Sequence, residues 1–166
     1  MKRKKSARSL IHPAQLIGWI VFCELVGVMG AWFTAPAILT WYATLTKPVF
    51  NPPNWIFGPV WTTLYAMMGI AAYRIWRIGV EKSAARNAIV LFFIHMLFNA
   101  IWSPIFFGAH NIPLAFADIS LMWITLIFVI FRFAVWDRLS AYLLLPYLAW
   151  VSFASVLNYN LWLLNP

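Results

Sequence analysis

The sequence predicts an all-α integral membrane protein: a bundle of five transmembrane helices with a structured first loop acting as a lid. Of its 166 residues, 64% are apolar or aromatic and 10% are charged, where a soluble domain has roughly 45–50% apolar and about 25% charged residues. Five separate stretches approach the roughly 20 apolar residues needed to cross a bilayer. The basic residues gather at alternate ends of those stretches. A cytosolic enzyme, a disordered tail and a nucleic-acid-binding domain are thereby excluded despite the net charge of +8, so no nucleic-acid partner is expected. Cys23 is the single cysteine, so no internal disulfide or cysteine metal cluster can form.

The spans are expected at about 16–33, 56–76, 88–107, 114–133 and 140–161, within a single membrane domain covering 1–166. Near-continuous apolar runs such as Ile119 to Ile130 lack the period-two alternation of barrel strands. The basic start, Lys2 to Arg8, followed by an apolar run resembles a signal peptide. That run is long enough to span, carries Glu24 and lacks a clear small-x-small cleavage site, so it is expected to stay as the first helix.

Five spans put the N-terminal segment and the second and fourth loops on one side. That side holds Lys2, Arg3, Lys4, Lys5, Arg8, Arg74, Arg77, Lys82, Arg86, Arg132 and Arg138, eleven of the twelve basic residues, and only Lys47 lies opposite. The positive-inside rule then makes 1–13 a basic cytoplasmic tail and places the C-terminus outside. A bacterial cytoplasmic membrane is the expected location, with an outer membrane as the alternative. No inverted internal repeat of the transporter kind is visible.

The first loop, about 35–55, has no glycine or serine and one charge. Trp41, Tyr42, Leu45, Val49, Phe50 and Trp55 are costly to leave in water, while Pro48, Pro52 and Pro53 stiffen the chain. This makes a lid over the outer end of the bundle, the other reading being an interfacial aromatic belt. The same belt explains Trp19, Trp32, Trp76, Trp136 and Trp162 near span ends. It does not explain Trp150, which falls near the bilayer middle. Trp61 and Trp102 lie on the side the lid would cover, and Trp123 is read as lipid-facing or packed in the core.

Polar residues inside spans usually face the bundle interior. Asn99, Ser103, Asp118, Ser152, Ser155 and Asn158 are expected to converge with Trp61, Trp102 and Trp150. Asp118 lies in the first turns of a helix opened by Pro113, where the helix dipole favours a carboxylate. Its alternative is an interhelical hydrogen bond to a neighbour such as Asn99. Glu24 and His95 have two readings, hydrogen bonds between helices or a proton path. Pro104 and Pro146 interrupt helices and widen the space between them. The sum is an aromatic, weakly polar cavity opening outward, suited to a flat apolar ligand with polar edges. His12, His95 and His110 have no metal-ligand spacing, and no nucleophile elbow or phosphate loop is present, so no metal is expected and binding is the default.

These residues resemble the TspO/MBR family of tryptophan-rich sensory proteins and translocator proteins. The resemblance runs through Trp41-Tyr42-x-x-Leu45-x-Lys47-Pro48-x-Phe50-x-Pro52-Pro53 and Phe57-Gly58-Pro59-Val60-Trp61. It continues through Asn99-x-x-Trp102-Ser103-x-x-Phe106-Phe107, Pro146-Tyr147-Leu148-Ala149-Trp150 and Leu157-Asn158-Tyr159. It implies a five-helix, usually dimeric bundle that binds porphyrins and isoquinoline-carboxamide or benzodiazepine-type drugs, and in several members cholesterol. By the same resemblance Tyr42, Trp61, Asn99 and Trp150 match pocket-lining positions, and Ala154 matches a small residue beside the ligand. Trp61 and Trp150 also match tryptophans implicated in light- and oxygen-dependent porphyrin breakdown. One departure is that Tyr159 is followed by no basic residue before Pro166, so the proposed cholesterol motif is incomplete.

The expected function is a membrane receptor or sensor for porphyrins, protoporphyrin IX above all, with no cofactor required. The expected contacts are Tyr42, Trp61, Asn99, Trp102, Asp118, Trp150 and Ala154, beneath a lid of Trp41, Pro48, Phe50, Pro52 and Pro53. The alternatives are porphyrin photodegradation by Trp61 and Trp150, and tetrapyrrole or sterol transport. Gly27, Ala31, Ala35, Ala84 and Ala88 are small enough for close helix contact, between protomers of a homodimer or within one bundle.

Overall fold

The computed structural model describes residues 12–79 and 82–166. It contains α1 (Pro13–Ile38), a short α2 (Trp41–Thr44), α3 (Phe57–Gly79), α4 (Ser83–Ser103), α5 (Ile112–Trp136) and α6 (Arg138–Leu164). A 3₁₀ turn, Asn54–Ile56, leads into α3, and a π turn, Pro104–Gly108, continues α4. Five helical segments are long and apolar enough to cross a membrane, so the chain is a multi-pass membrane protein set in a lipid bilayer. They match the five expected spans, but each is longer at its ends. At about 1.5 Å per residue, the 25–27 residues of each segment exceed a hydrocarbon core of about 30 Å, so their ends reach the headgroups or the helices tilt. Most of the basic tail, residues 1–11, lies outside the described residues, as does Glu81.

The largest boundary difference is at the end of α1. The first loop was expected from about residue 35, yet the helix carries Pro36 within its last turn and runs to Ile38. A proline near a helix end disturbs few backbone bonds, and in lipid a helical backbone is the one that satisfies itself. Pro104 does not simply kink α4. Its carbonyl accepts the Ala109 amide at 2.8 Å, which closes the wider π turn, the response expected where proline removes a regular helical bond.

The spans form a ring in the order α1, α3, α6, α5, α4, with α3 also touching α4 across it. On the side of the α3–α4 and α5–α6 turns the ring is solid. Met68, Ile75, Phe92, Leu126, Val129, Phe133 and Leu144 are fully buried there. Only Cys23 and Ala37 of α1 are buried; the rest of the helix packs partly on the core, lines the cavity described below or faces outward. Where it does pack, it packs closely: a Cβ on Gly69 would lie 2.6 Å from the Ile20 Cα and 2.9 Å from the Trp19 carbonyl oxygen. This is the use of small residues in lipid, where helix contact depends on backbone approach. Ala88 is buried in the bundle and Gly27 meets the Tyr65 ring, so these two serve contacts within one bundle, while Ala31 and Ala35 line the cavity.

Polar side chains fix the ends. The Asp137 carboxylate caps α6 by accepting the Ser140 amide and hydroxyl, and it accepts Arg74 at 2.6 and 3.0 Å from α3. That two-point ion pair, with the capping bonds, holds the Asp137 carboxyl down at about 2. Asn111 caps α5 through the Leu114 amide.

Two predictions follow from this packing. Gly69→Ala forces Cβ into the α1 backbone and should cost about 1–3 kcal/mol, read as a lower thermal midpoint in detergent. Gly58→Ala, whose Cβ meets nothing within 4 Å, should leave the midpoint unchanged or raised. Asp137→Asn should lose about 1 kcal/mol or less at neutral pH, because the pair is partly exposed. Since the folded carboxyl titrates at about 2 against an ordinary 3.8, its contribution is complete above about pH 4 and fades towards pH 2. The gap between wild type and Asp137→Asn should therefore close over that interval in a pH series of thermal melts.

Candidate functional site

In the half of the bundle that carries the first loop, the ring opens into a cavity of about 380 Å³, within the roughly 300–1,000 Å³ of small-molecule sites. All five spans contribute. α1 supplies a wall of small residues, Gly27, Gly30, Ala31 and Ala35, while α3, α4 and α6 supply Trp61, Trp102 and Trp150. α5 closes the back with Ile119 and Met122. The residue sizes explain the hollow: α1 offers hydrogens and methyls to the interior where the other helices offer indoles.

A chain of hydrogen bonds lies beside this space. Tyr65 donates to Asn99 Oδ1 at 2.6 Å, Asn99 Nδ2 donates to the Tyr147 oxygen at 2.7 Å, and Tyr147 lies 3.0 Å from His95 Nε2. His95 Nδ1 lies 3.2 Å from the Met122 carbonyl and from Thr125 Oγ1. A carbonyl only accepts, so Nδ1 carries the imidazole proton and Nε2 accepts from Tyr147. His95 thus makes hydrogen bonds between helices, one of its two expected roles. Nearer the loop, Asn158 accepts Trp102 Nε1 at 3.2 Å and donates to the Ile112 carbonyl at 3.1 Å. The Trp150 indole N–H is buried without a protein acceptor, although the residue lines the cavity.

The loop is held down at two points and braced internally at a third. Thr46 and Asn165 exchange two bonds, amide to Oδ1 at 2.9 Å and Nδ2 to carbonyl at 3.0 Å. Trp41 stacks on His110 at 4.3 Å and meets Phe106 edge-on. His110 itself has φ 55°, a left-handed conformation uncommon outside glycine and favoured relatively often by histidine. Tyr42 donates to Asn51 at 2.7 Å across the loop, and burial pushes its phenol up to about 12, the Asn51 bond opposing this.

Of the residues expected at the site, Tyr42, Trp61, Asn99, Trp102, Trp150 and Ala154 line the cavity, together with Ser103 and Asn158. Asp118 does not. It sits one residue, or about 100° of helix turn, from the cavity-lining Ile119, buried with Oδ2 unpartnered and with no bond to Asn99. Ser152 and Ser155 also turn away: Ser152 accepts Trp123 Nε1 at 2.8 Å, and Ser155 bonds the Val151 carbonyl one turn back. Among the expected lid residues, Trp41 and Phe50 pack on Phe106 and Phe153, but neither they nor Pro48, Pro52 and Pro53 line the cavity. Val49 is 105% and Trp55 74% exposed, so these apolar groups are not folded inward. The loop reaches the cavity through Tyr42 and Asn54. Sequence reasoning missed Tyr65, although its spacing of four from Trp61 put both on one helix face. Glu24, read from the sequence as an interhelical hydrogen bond or part of a proton path, lines the cavity.

Asn99→Leu removes the centre of the polar chain and strands the Tyr65 hydroxyl. A loss of about 1–3 kcal/mol is expected for an unpaired buried group, measured by denaturant unfolding in detergent. Ser155→Ala, which loses only a bond to its own helix, should stay within about 0.5 kcal/mol.

Residues 19–163 match the TspO/MBR family. The chain is 42% identical to the tryptophan-rich protein TspO of Chlorobaculum tepidum, over 89% of its own length and 93% of that protein. It is 38% identical to the translocator protein of Homo sapiens over 88% and 87%, and 33% identical to the tryptophan-rich sensory protein of Cereibacter sphaeroides over 89% and 92%. A match across all five spans, the loop and the cavity walls together means that the chain belongs to the TspO/MBR family.

Proposed function

We propose that this protein is a membrane receptor or sensor that takes a porphyrin, protoporphyrin IX or a close relative, into the cavity between α1, α3, α4 and α6. The observation that carries the reading is the composition of the walls. Three indoles and the ring of Tyr42 surround a mostly apolar space, and its polar lining residues include Glu24, Asn54, Asn99, Ser103 and Asn158. A flat aromatic macrocycle gains stacking area from such walls and presents ring nitrogens and polar edges to the donors. Ala31 and Ala35 add small methyl surfaces to the same space. Family membership supports the coarser class of membrane sensor or receptor, and it supports a homodimer in the membrane. The basic ends Arg74, Arg77, Lys82, Arg86, Arg132 and Arg138 support a cytoplasmic N-terminus.

A second reading, light- and oxygen-dependent breakdown of the bound porphyrin, is favoured by the presence of Trp61 and Trp150 in one cavity. Transport is the third, and a flux into proteoliposomes no faster than into empty vesicles excludes it.

Saturable quenching of tryptophan fluorescence by protoporphyrin IX in purified, detergent-solubilised protein tests the binding reading. Trp61→Phe and Trp150→Phe should weaken the apparent affinity severalfold. Trp123→Phe should not, because Trp123 is partly exposed and bonded to Ser152 outside the cavity. Unsaturable quenching, alike in all four proteins, overturns the reading. Illumination in air should then yield a new porphyrin product with wild type and none with the Trp61→Phe/Trp150→Phe double variant. Equal bleaching by both rejects the second reading.

A further inference from the structure

Behind the cavity wall, the ring of Trp61 meets two tyrosines. It stacks on Tyr65 at 5.3 Å between centroids and meets Tyr147 edge-on at 6.1 Å. The two phenols differ in what receives their proton. Tyr65 donates to the Asn99 amide oxygen, which is not a base. Tyr147 faces His95 Nε2 at 3.0 Å, and the tautomer fixed by the Met122 carbonyl leaves that nitrogen with a free lone pair. Asn99 Nδ2 donates to the same Tyr147 oxygen at 2.7 Å, and the other acceptor within reach of the hydroxyl is the Met122 sulfur at 3.4 Å, a weak acceptor, so the phenolic proton goes to the imidazole. Tyr147 and His95 are both fully buried, and neither lines the cavity.

We infer that Tyr147 and His95 form a redox-active tyrosine–base pair that draws an oxidising equivalent away from the cavity through Trp61. The inference rests on the proposed occupancy by a photoexcitable aromatic macrocycle. The excited macrocycle takes one electron from Trp61, giving a macrocycle radical anion and an indole radical cation. The radical anion passes its electron to dioxygen, which becomes superoxide, and the macrocycle is restored. Tyr147 returns one electron to Trp61 while its phenolic O–H breaks and a new N–H forms at His95 Nε2. The net change is one electron from Tyr147 to dioxygen, with the proton held on His95.

The second transfer creates no additional buried charge, because a cation on Trp61 becomes a cation on His95. The imidazolium is met at Nδ1 by the Met122 carbonyl and the Thr125 hydroxyl oxygen, so the low-dielectric interior does not block the step. Oxidation of Tyr65 has no comparable outlet, since its proton would have to leave on an amide oxygen. The bonding therefore selects Tyr147 although Tyr65 is the closer ring. The oxidising equivalent comes to rest one layer behind the wall, and Trp61 is regenerated.

The test is electron paramagnetic resonance of full-length protein with protoporphyrin IX, illuminated with visible light in air and frozen. Binding is first checked by fluorescence quenching, and folding of each variant by thermal melting. Wild type should give a tyrosyl radical signal. Tyr147→Phe should lose it and accumulate oxidised Trp61, and His95→Gln, which keeps an acceptor but no base, should lose it too. Tyr65→Phe should retain it. A tyrosyl signal that persists in both Tyr147→Phe and His95→Gln, or that disappears with Tyr65→Phe alone, overturns the inference. If protoporphyrin IX does not bind saturably, the ligand reading fails on its own. The same four proteins are then compared after ultraviolet photoionisation of their indoles without ligand, and an unchanged tyrosyl signal in Tyr147→Phe overturns the pair independently.

Discussion

Lipid offers no hydrogen bonds, so the side-chain amide of Asn99 has to find its partners inside the protein, and it finds them on three other helices. It accepts from Tyr65 on α3, donates to Tyr147 on α6 and lies 3.8 Å from the Met122 sulfur on α5, while belonging itself to α4. Each bond is worth about 0.6 kcal/mol on average in such settings, but their geometry permits little freedom. Four helices meeting at one amide fix the floor of the cavity and the orientation of the Trp61 ring stacked on Tyr65. The His95–Tyr147 pair continues the same chain into the solid half of the bundle.

The division into a solid and a hollow half follows from where the small residues fall. Gly69 lets α1 and α3 approach to backbone contact in the solid half. Towards the loop, Gly27 and Gly30 of α1 admit the Tyr65 ring and the Ser103 side chain, while Ala31 and Ala35 line the cavity opposite the indoles of the other helices, where too little side-chain volume remains to fill the space. Close packing by small residues and a cavity lined by small residues are thus two results of one composition. Which occurs depends on whether the neighbouring backbones draw together.

Above the cavity the loop is held by polar bonds and aromatic stacking more than by apolar burial. The reciprocal Thr46–Asn165 pair ties it to the end of α6, and the Trp41–His110 stack ties it to the turn after α4. Val49 and Trp55 remain outside, and an indole next to a span end is of the kind that a membrane interface accommodates without burial.

The sequence by itself determined the five spans, their order and the side on which the charges lie, because apolar length and basic-residue segregation are local properties that the bilayer reads directly. It also pointed to the indoles and the central amide of the cavity wall, since Trp150 and Asn99 are too polar or too large at mid-membrane to face lipid without cause. The helical phase of Asp118, Ser152 and Ser155 was not legible, because a polar residue in a span announces only that it needs a partner. Asp118 lies one residue from a cavity-lining position, and Ser155 satisfies itself on its own helix. The inward role of Tyr65, the tautomer of His95 and the outward turn of the loop's apolar groups were likewise decided by the tertiary structure. Each depends on which side chain from a distant segment arrives within about 3 Å, and that distance is set only when the helices pack.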